Sequence, residues 1–311
     1  MLSANCYQTT VSFAGWRKLA FSMRSLLRLR LLIVAAMSLV TCGCVTAQST
    51  YPDMVNAGDS AMANRQYASA LRSYMKAAQR DDSWGELNVA KIYENGQGVA
   101  KDEAAAAEWY AKSASHGNPW AMNGLGSLYE EGRGVPKDLA KAADLYARSA
   151  SQGNPWGLYN QARALENGFG GAKDPVKSLA LYQKAATLGN SWAQYTLGDK
   201  YAAGEGVPAS NKQALEWYRK SADQGNAWSQ YKLGVLLEGA TDVTADLPAA
   251  FGYYKKAAAQ GNALAQANMA RMLEKGQGTT ADAGEALRSY KQSAANGGPA
   301  WISARIKALQ K

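Results

Sequence analysis

The chain is poor in the residues that usually carry chemistry. It has three cysteines, Cys6, Cys42 and Cys44, and all stand before position 48. A chain processed after Ala47 keeps none, which excludes a disulfide, a thiol nucleophile and a thiolate metal site. It has one histidine, His116, and no His/Cys/Asp group at metal-ligand spacing. The expectation is therefore no catalytic residue, no metal and no cofactor. Long apolar runs are missing too. The longest, Leu31 to Val40, has ten uncharged and mostly apolar residues, about half of the roughly 20 that a spanning helix needs. Acids are absent from the first 47 residues, which hold Arg17, Lys18, Arg24, Arg28 and Arg30. The formal charge of +9 therefore overstates the body of the chain, where 29 bases face 25 acids, a balance of +4. That suits solubility and argues against a nucleic-acid partner.

What the chain has in abundance is repetition. Tryptophans at 84, 120, 156, 192 and 228 are 36 residues apart, and Leu264 continues the series. Six copies of 36 residues fill 84–299 (84–119, 120–155, 156–191, 192–227, 228–263 and 264–299). A strict period of this length is the mark of a stacked array, in which one supersecondary unit buries its apolar face on the next.

Each copy reads as two helices. In the second copy the first runs from about Pro119 to Glu131, with Ala121, Leu125, Leu128 and Tyr129 on one face. Gly132 and Gly134 read as a left-handed cap and a tight turn. Asp138 reads as the N-cap of the second helix, which carries Leu139, Ala142, Ala143, Leu145, Tyr146 and Ala150 and stops at Gly153-Asn154. In the third copy Asp174-Pro175 puts a capping side chain before a proline at the first helical position. The Gly-x-Gly turns lack the lysine-serine ending of a phosphate loop. Tyr110, Tyr146, Tyr182, Tyr218, Tyr254 and Tyr290 form one column, and Ala90, Gly126, Ala162, Gly198, Gly234 and Ala270 another. The first reads as packing knobs, the second as places where helices approach closely.

These columns resemble the Sel-one-like repeat, a relative of the tetratricopeptide repeat. The matching residues are Leu125-Gly126, Tyr129, Gly132-Arg133-Gly134-Val135, Asp138, Lys141-Ala142, Tyr146 and Gly153-Asn154. The resemblance implies an all-α, right-handed α-solenoid of antiparallel helix pairs, with a concave face of the kind that binds other proteins. Some exported relatives staple each repeat with a disulfide, and a few cysteine-rich ones are linked to weak β-lactam hydrolysis. The cysteine pairs are absent here, so neither property carries over. Gln161 and Lys200 replace apolar core residues, and the fifth copy has Gly239-Ala240-Thr241 in place of Gly-x-Gly. The fourth and fifth loops are therefore expected to be the least regular.

The flanks complete the organisation. Residues 1–22 read as an upstream extension. Residues 23–47 read as an export signal: Arg24, Arg28 and Arg30, then the ten-residue run, then Val45-Thr46-Ala47 before Gln48. Lipidation at Cys42 or Cys44 is the alternative, each lacking one residue of the pattern, and is the only route to a membrane. Residues 51–83 read as a degenerate tetratricopeptide-like unit, since Tyr74 lies 36 before Tyr110, and residues 300–311 as a capping helix.

The candidate partner-binding residues are Trp120, Trp156, Tyr159, Trp192, Tyr195, Trp228 and Tyr231. The core row of the first helix is rotated away from the tryptophans, so these rings read as an exposed aromatic strip suited to a peptide. The competing reading is that each tryptophan seals the joint between neighbouring repeats. Lys112, Arg148, Lys184, Lys220 and Lys256 read as a solvated face, with Glu108, Asp144 and Glu216 four residues before three of them. The function expected is a non-catalytic, monomeric scaffold in the bacterial envelope that binds a protein or peptide. A secreted host-interaction factor and a cell-wall binding protein are the alternatives.

Overall fold

The computed structural model describes residues 51–310, so the export signal, Ala47, Gln48, Cys42 and Cys44 lie outside it. Among the described residues there are fifteen helices and no strand, and no helix is long and apolar enough to cross a membrane. The chain opens with α1 (Tyr51–Ala63) and α2 (Tyr67–Ala78). The first helices of the six copies are α3 (Ser83–Asn95), α5 (Pro119–Glu131), α7 (Pro155–Asn167), α9 (Ser191–Ala203), α11 (Ala227–Leu237) and α13 (Ala263–Lys275). The second helices are α4 (Glu103–Ser115), α6 (Leu139–Ser151), α8 (Pro175–Thr187), α10 (Asn211–Asp223), α12 (Leu247–Ala259) and α14 (Ala283–Ala295), and α15 (Ile302–Leu309) follows. Each second helix packs on its own first helix and on the first helix of the next copy, giving an all-α solenoid. The core is a string of clusters along the array, in which Leu87, Leu128, Leu197, Leu233 and Met272 are buried.

The caps explain the rigid period. Asp138 accepts from the backbone N–H groups of Ala140 and Lys141 at the start of α6, and Asp102, Asp174, Asp246 and Asp282 cap in phase with it. The asparagine near the end of each of the first five copies caps the next helix. Asn118, Asn154, Asn190, Asn226 and Asn262 each accept a backbone N–H at the start of the following first helix. A cap of this kind is worth about 1 kcal/mol, and each copy has two.

The two glycines of each turn do different work. Gly132 closes α5 at φ 73°, a left-handed value that a side chain would strain. Gly134, at φ 67°, lies against the start of the preceding second helix, where an added Cβ would come within 2.1 Å of the Glu103 carbonyl oxygen. The fifth loop departs from this. There α11 is two residues shorter than its counterparts, and Asp242 stands in the Gly134 column. Its carboxylate accepts from the Lys212 N–H at 3.2 Å, at the start of α10. A hydrogen bond to the preceding helix thus replaces the close backbone approach. The fourth loop does not share the irregularity expected of it. Gly204 and Gly206 keep left-handed values of 75° and 74°, and Ser210 caps α10 through its hydroxyl. The departure in that copy, Lys200, lies inside α9, where its side chain is 11% exposed and pairs with Glu166.

Candidate functional site: an aromatic strip above a tyrosine and carboxylate ladder

The two aromatic columns end in different environments. Tyr110, Tyr146, Tyr182, Tyr218, Tyr254 and Tyr290 are 0–3% exposed, with Tyr74 of α2 at 2%. Their rings fill the space left by the small column. A Cβ added to Gly126 would lie 2.7 Å from the Tyr146 ring, and one on Gly234 2.5 Å from that of Tyr254. The tryptophans stay open, at 49% for Trp84, 38% for Trp120, 36% for Trp156 and Trp192, and 44% for Trp228. Each is the second residue of its helix, one step from the buried Ala121 row, so the turn that buries the alanine holds the indole at the surface.

Below the strip runs a ladder that the sequence reading missed. Each column tyrosine donates its hydroxyl to an acid of its own first helix: Tyr110 to Glu94 at 2.6 Å, Tyr146 to Glu130 at 2.7 Å, Tyr182 to Glu166 at 2.8 Å and Tyr290 to Glu274 at 3.0 Å. Tyr254 does the same with Glu238, and Tyr218 with Asp199. The acid then meets a base from the next repeat. Arg133 reaches Glu94 at 3.0 Å, Arg163 reaches Glu130 at 2.8 Å and Lys232 reaches Asp199 at 3.0 Å. Lys200 and Arg271 pair with Glu166 and Glu238 in the same way, and Arg305 of α15 pairs with Glu274. Burial, reinforced by the neighbouring carboxylate, pushes the hydroxyls of Tyr110, Tyr146, Tyr218 and Tyr254 well above the usual tyrosine range. The acid column at 94, 130, 166, 238 and 274 is legible at the 36-residue spacing. Its pairing with the tyrosine column is not, because each tyrosine stands 16 residues on across a turn and each base comes from a later element.

Trp156, Tyr159 and Trp192 line one cleft of about 510 Å³, together with Asn123, Ser127, Asn160, Glu130, Glu131 and Arg163. Helices α5, α7 and α9 hold these residues, with Tyr146 of α6 at the floor. Trp156 meets Tyr159 edge-on at 6.0 Å, and Tyr159 rests on Tyr182 at 5.8 Å. Asn160 donates to Asn123 at 2.9 Å and accepts from Arg163 at 3.1 Å. The charges in the cleft are thus paired within the protein, and the Glu131 and Arg163 side chains remain partly exposed beside the indole and phenol rings. Trp120, Tyr195, Trp228 and Tyr231 are not among its lining residues. Trp192 meets Tyr195 edge-on at 6.0 Å, and Tyr231 lies tilted against Tyr254 at 6.1 Å.

The basic column is less uniform than a solvated face. Of the three expected pairs only Arg148 with Asp144 forms, at 3.7 Å. Lys220 lies over Trp217 at 4.1 Å and Lys256 over Tyr253 at 5.3 Å. Lys112 turns away from Glu108 to Glu86 and Asp81. His116 is more than a polar helix end, since its Nδ1 lies 2.8 Å from the buried Glu86 carboxylate.

Comparison with known proteins agrees with this geometry. The family profile described as Sel1 repeat matches residues 85–118, 121–154, 157–190, 193–226, 229–262 and 263–298. A Sel1 repeat protein from Oxalobacter formigenes of known structure is 29% identical, with 78% of this chain and 99% of that one covered and a TM-score of 0.72. A protective antigen of uropathogenic Escherichia coli displaying an SLR fold is 28% identical, covers 85% of this chain and has a TM-score of 0.52; the present chain spans 65% of its length. No curated protein matches.

Proposed function

The chain belongs to the Sel1-repeat family, and from that premise we propose that it is a non-catalytic adaptor that binds a segment of a partner protein along the aromatic strip. Proteins of this family act as interaction scaffolds, and the coarse reading follows from membership. The finer reading rests on one observation: five tryptophans repeat in phase and remain 36–49% exposed, two of them across one cleft. Exposed aromatic surface gathered in one cleft, as at Trp156, Tyr159 and Trp192, is of the kind that marks an interaction site. Rings of this size with N–H and O–H groups suit the anchoring side chains and backbone amides of a peptide. The basic leader and the Val45-Thr46-Ala47 site support export, and with it a partner in the bacterial envelope. A second reading, a host-facing secreted protein, draws on the likeness to the Escherichia coli protective antigen.

A photo-crosslinking residue introduced at Ser127, inside the cleft, tests the proposal against one at Lys184, on a second helix. The expected result is a partner captured from Ser127 and not from Lys184. Capture from Lys184 alone would move binding off the strip.

A further inference from the structure

The first of the six copies breaks, with ionisable groups, a pattern that the last three keep. Residues 30 apart, one near the start of the first helix and one at the end of the second, meet as neutral amides: Gln194 with Gln224 and Gln230 with Gln260 at 2.8 Å, Gln266 with Asn296 at 3.0 Å. In the first copy the same two positions hold Glu86 and His116. Glu86 is 0% exposed. Its Oε2 lies 2.8 Å from His116 Nδ1, and its Oε1 takes no hydrogen bond.

The Lys112 ammonium faces that oxygen at 3.0 Å. It also lies 3.4 Å from Asp81 Oδ1 and 3.3 Å from the carbonyl of Ala78, the last residue of α2. A helix C-terminus carries the negative end of the backbone dipole and favours a cation. Nζ thus rests in a cup of three oxygens with an imidazole at its edge. Donor atoms of Asp81, Glu86 and His116 all lie within 4.8 Å of one another. Ligand atoms of one tetrahedral zinc-type ion lie about 3.4 Å apart, so closure by up to about 1.4 Å completes the set. Asp81 is exposed and stands in the turn between α2 and α3, where such a movement costs little packing.

We propose that this cup binds a divalent transition-metal ion of the zinc class, which displaces the Lys112 ammonium into solvent. Glu86, Asp81 and His116 Nδ1 are the ligands, with the Ala78 carbonyl as a further oxygen. A mixed nitrogen and carboxylate set suits zinc, cobalt or nickel, whereas magnesium and calcium take oxygen ligands throughout. The Lys112 side chain is 41% exposed, so its ammonium can leave without unpacking the helix. The lysine is a built-in competitor, holding the buried carboxylate compensated until metal arrives. Export would place the site outside the cytoplasm.

The test uses the tag-free chain, Co²⁺ absorption and the thermal shift with Zn²⁺. Three proteins are compared: wild type, Lys112→Met, and His116→Gln, which installs the residue found at the same position as Gln224 and Gln260. Wild type is expected to bind one equivalent, His116→Gln to bind at least tenfold more weakly, and Lys112→Met to bind several-fold more tightly. Circular dichroism confirms that both variants fold. No Co²⁺ bands and no Zn²⁺ shift in wild type at millimolar metal would overturn the proposal. So would His116→Gln binding as wild type does, or an equal shift with Mg²⁺.

Discussion

Two aromatic columns run through this molecule with the same 36-residue period, and they have opposite fates. The tyrosines, on the second helices, are buried and hydrogen-bonded; the tryptophans, second residues of the first helices, are open. Size and hydrophobicity would rank them the other way, since indole is the larger apolar ring. Position on the helix decides. A tyrosine faces its own first helix, where a glycine or alanine leaves room for the ring and an acid takes the hydroxyl. A tryptophan sits one residue from the buried row, at the start of its helix, and keeps 36–49% of its surface exposed. The period makes both columns regular; only the first contributes mainly to stability.

The difference can be broken most strongly at Tyr182, in the middle of the array. Tyr182→Ala leaves a void between α7 and α8 and is expected to cost about 3–5 kcal/mol in a chemical melt. Because each repeat contacts mainly its neighbours, the transition should also broaden or split. A sharp transition at the original midpoint would contradict the assignment.

Alkaline pH acts on the whole tyrosine column at once. The folded hydroxyls are held above the ordinary value of about 10, so the unfolded chain loses protons first as pH rises. The stability they contribute is fully present below that ordinary value and is lost as pH climbs through the folded values. Thermal midpoints should be insensitive to these groups below about pH 9 and fall steeply above pH 10. Replacing Tyr110, Tyr146 and Tyr254 by phenylalanine should flatten the fall.

A single hydroxyl is a smaller perturbation. Tyr146→Phe removes one bond to Glu130, which keeps Arg163, and is expected to cost about 1–2 kcal/mol. On the other column, Trp156→Ala should cost about 1 kcal/mol or less, because the ring is exposed and its main ring contact is the edge of Tyr159. A loss of 3–5 kcal/mol there would mean that the tryptophans seal the joints between repeats.

Much of the fold was legible because its signals are local. Asp138, Gly132 and the Asp174-Pro175 pair mark helix ends through neighbours within three or four residues, and the structure uses them that way. The fourth loop was misjudged because Lys200, a residue inside α9, was read as a sign of loop irregularity. The turn glycines Gly204 and Gly206 are intact, and the lysine finds Glu166 in the preceding repeat. The candidate site was less legible. Tyr146 finds Glu130 16 residues back, Arg163 finds the same acid 33 residues back, and His116 finds Glu86 30 residues back. Such partners become neighbours only after two helices stack, so a pattern read along one helix does not contain them.

The most direct measurement changes Trp156, Trp192 and Trp228 to alanine together and compares crosslinked capture from the cell envelope with that by the unaltered protein. A chemical melt of the same variant runs beside it. The account predicts a melt within about 3 kcal/mol of the original and the loss of a partner that the unaltered protein captures. Undiminished capture of that partner by the folded variant would contradict it and leave the tryptophans as packing.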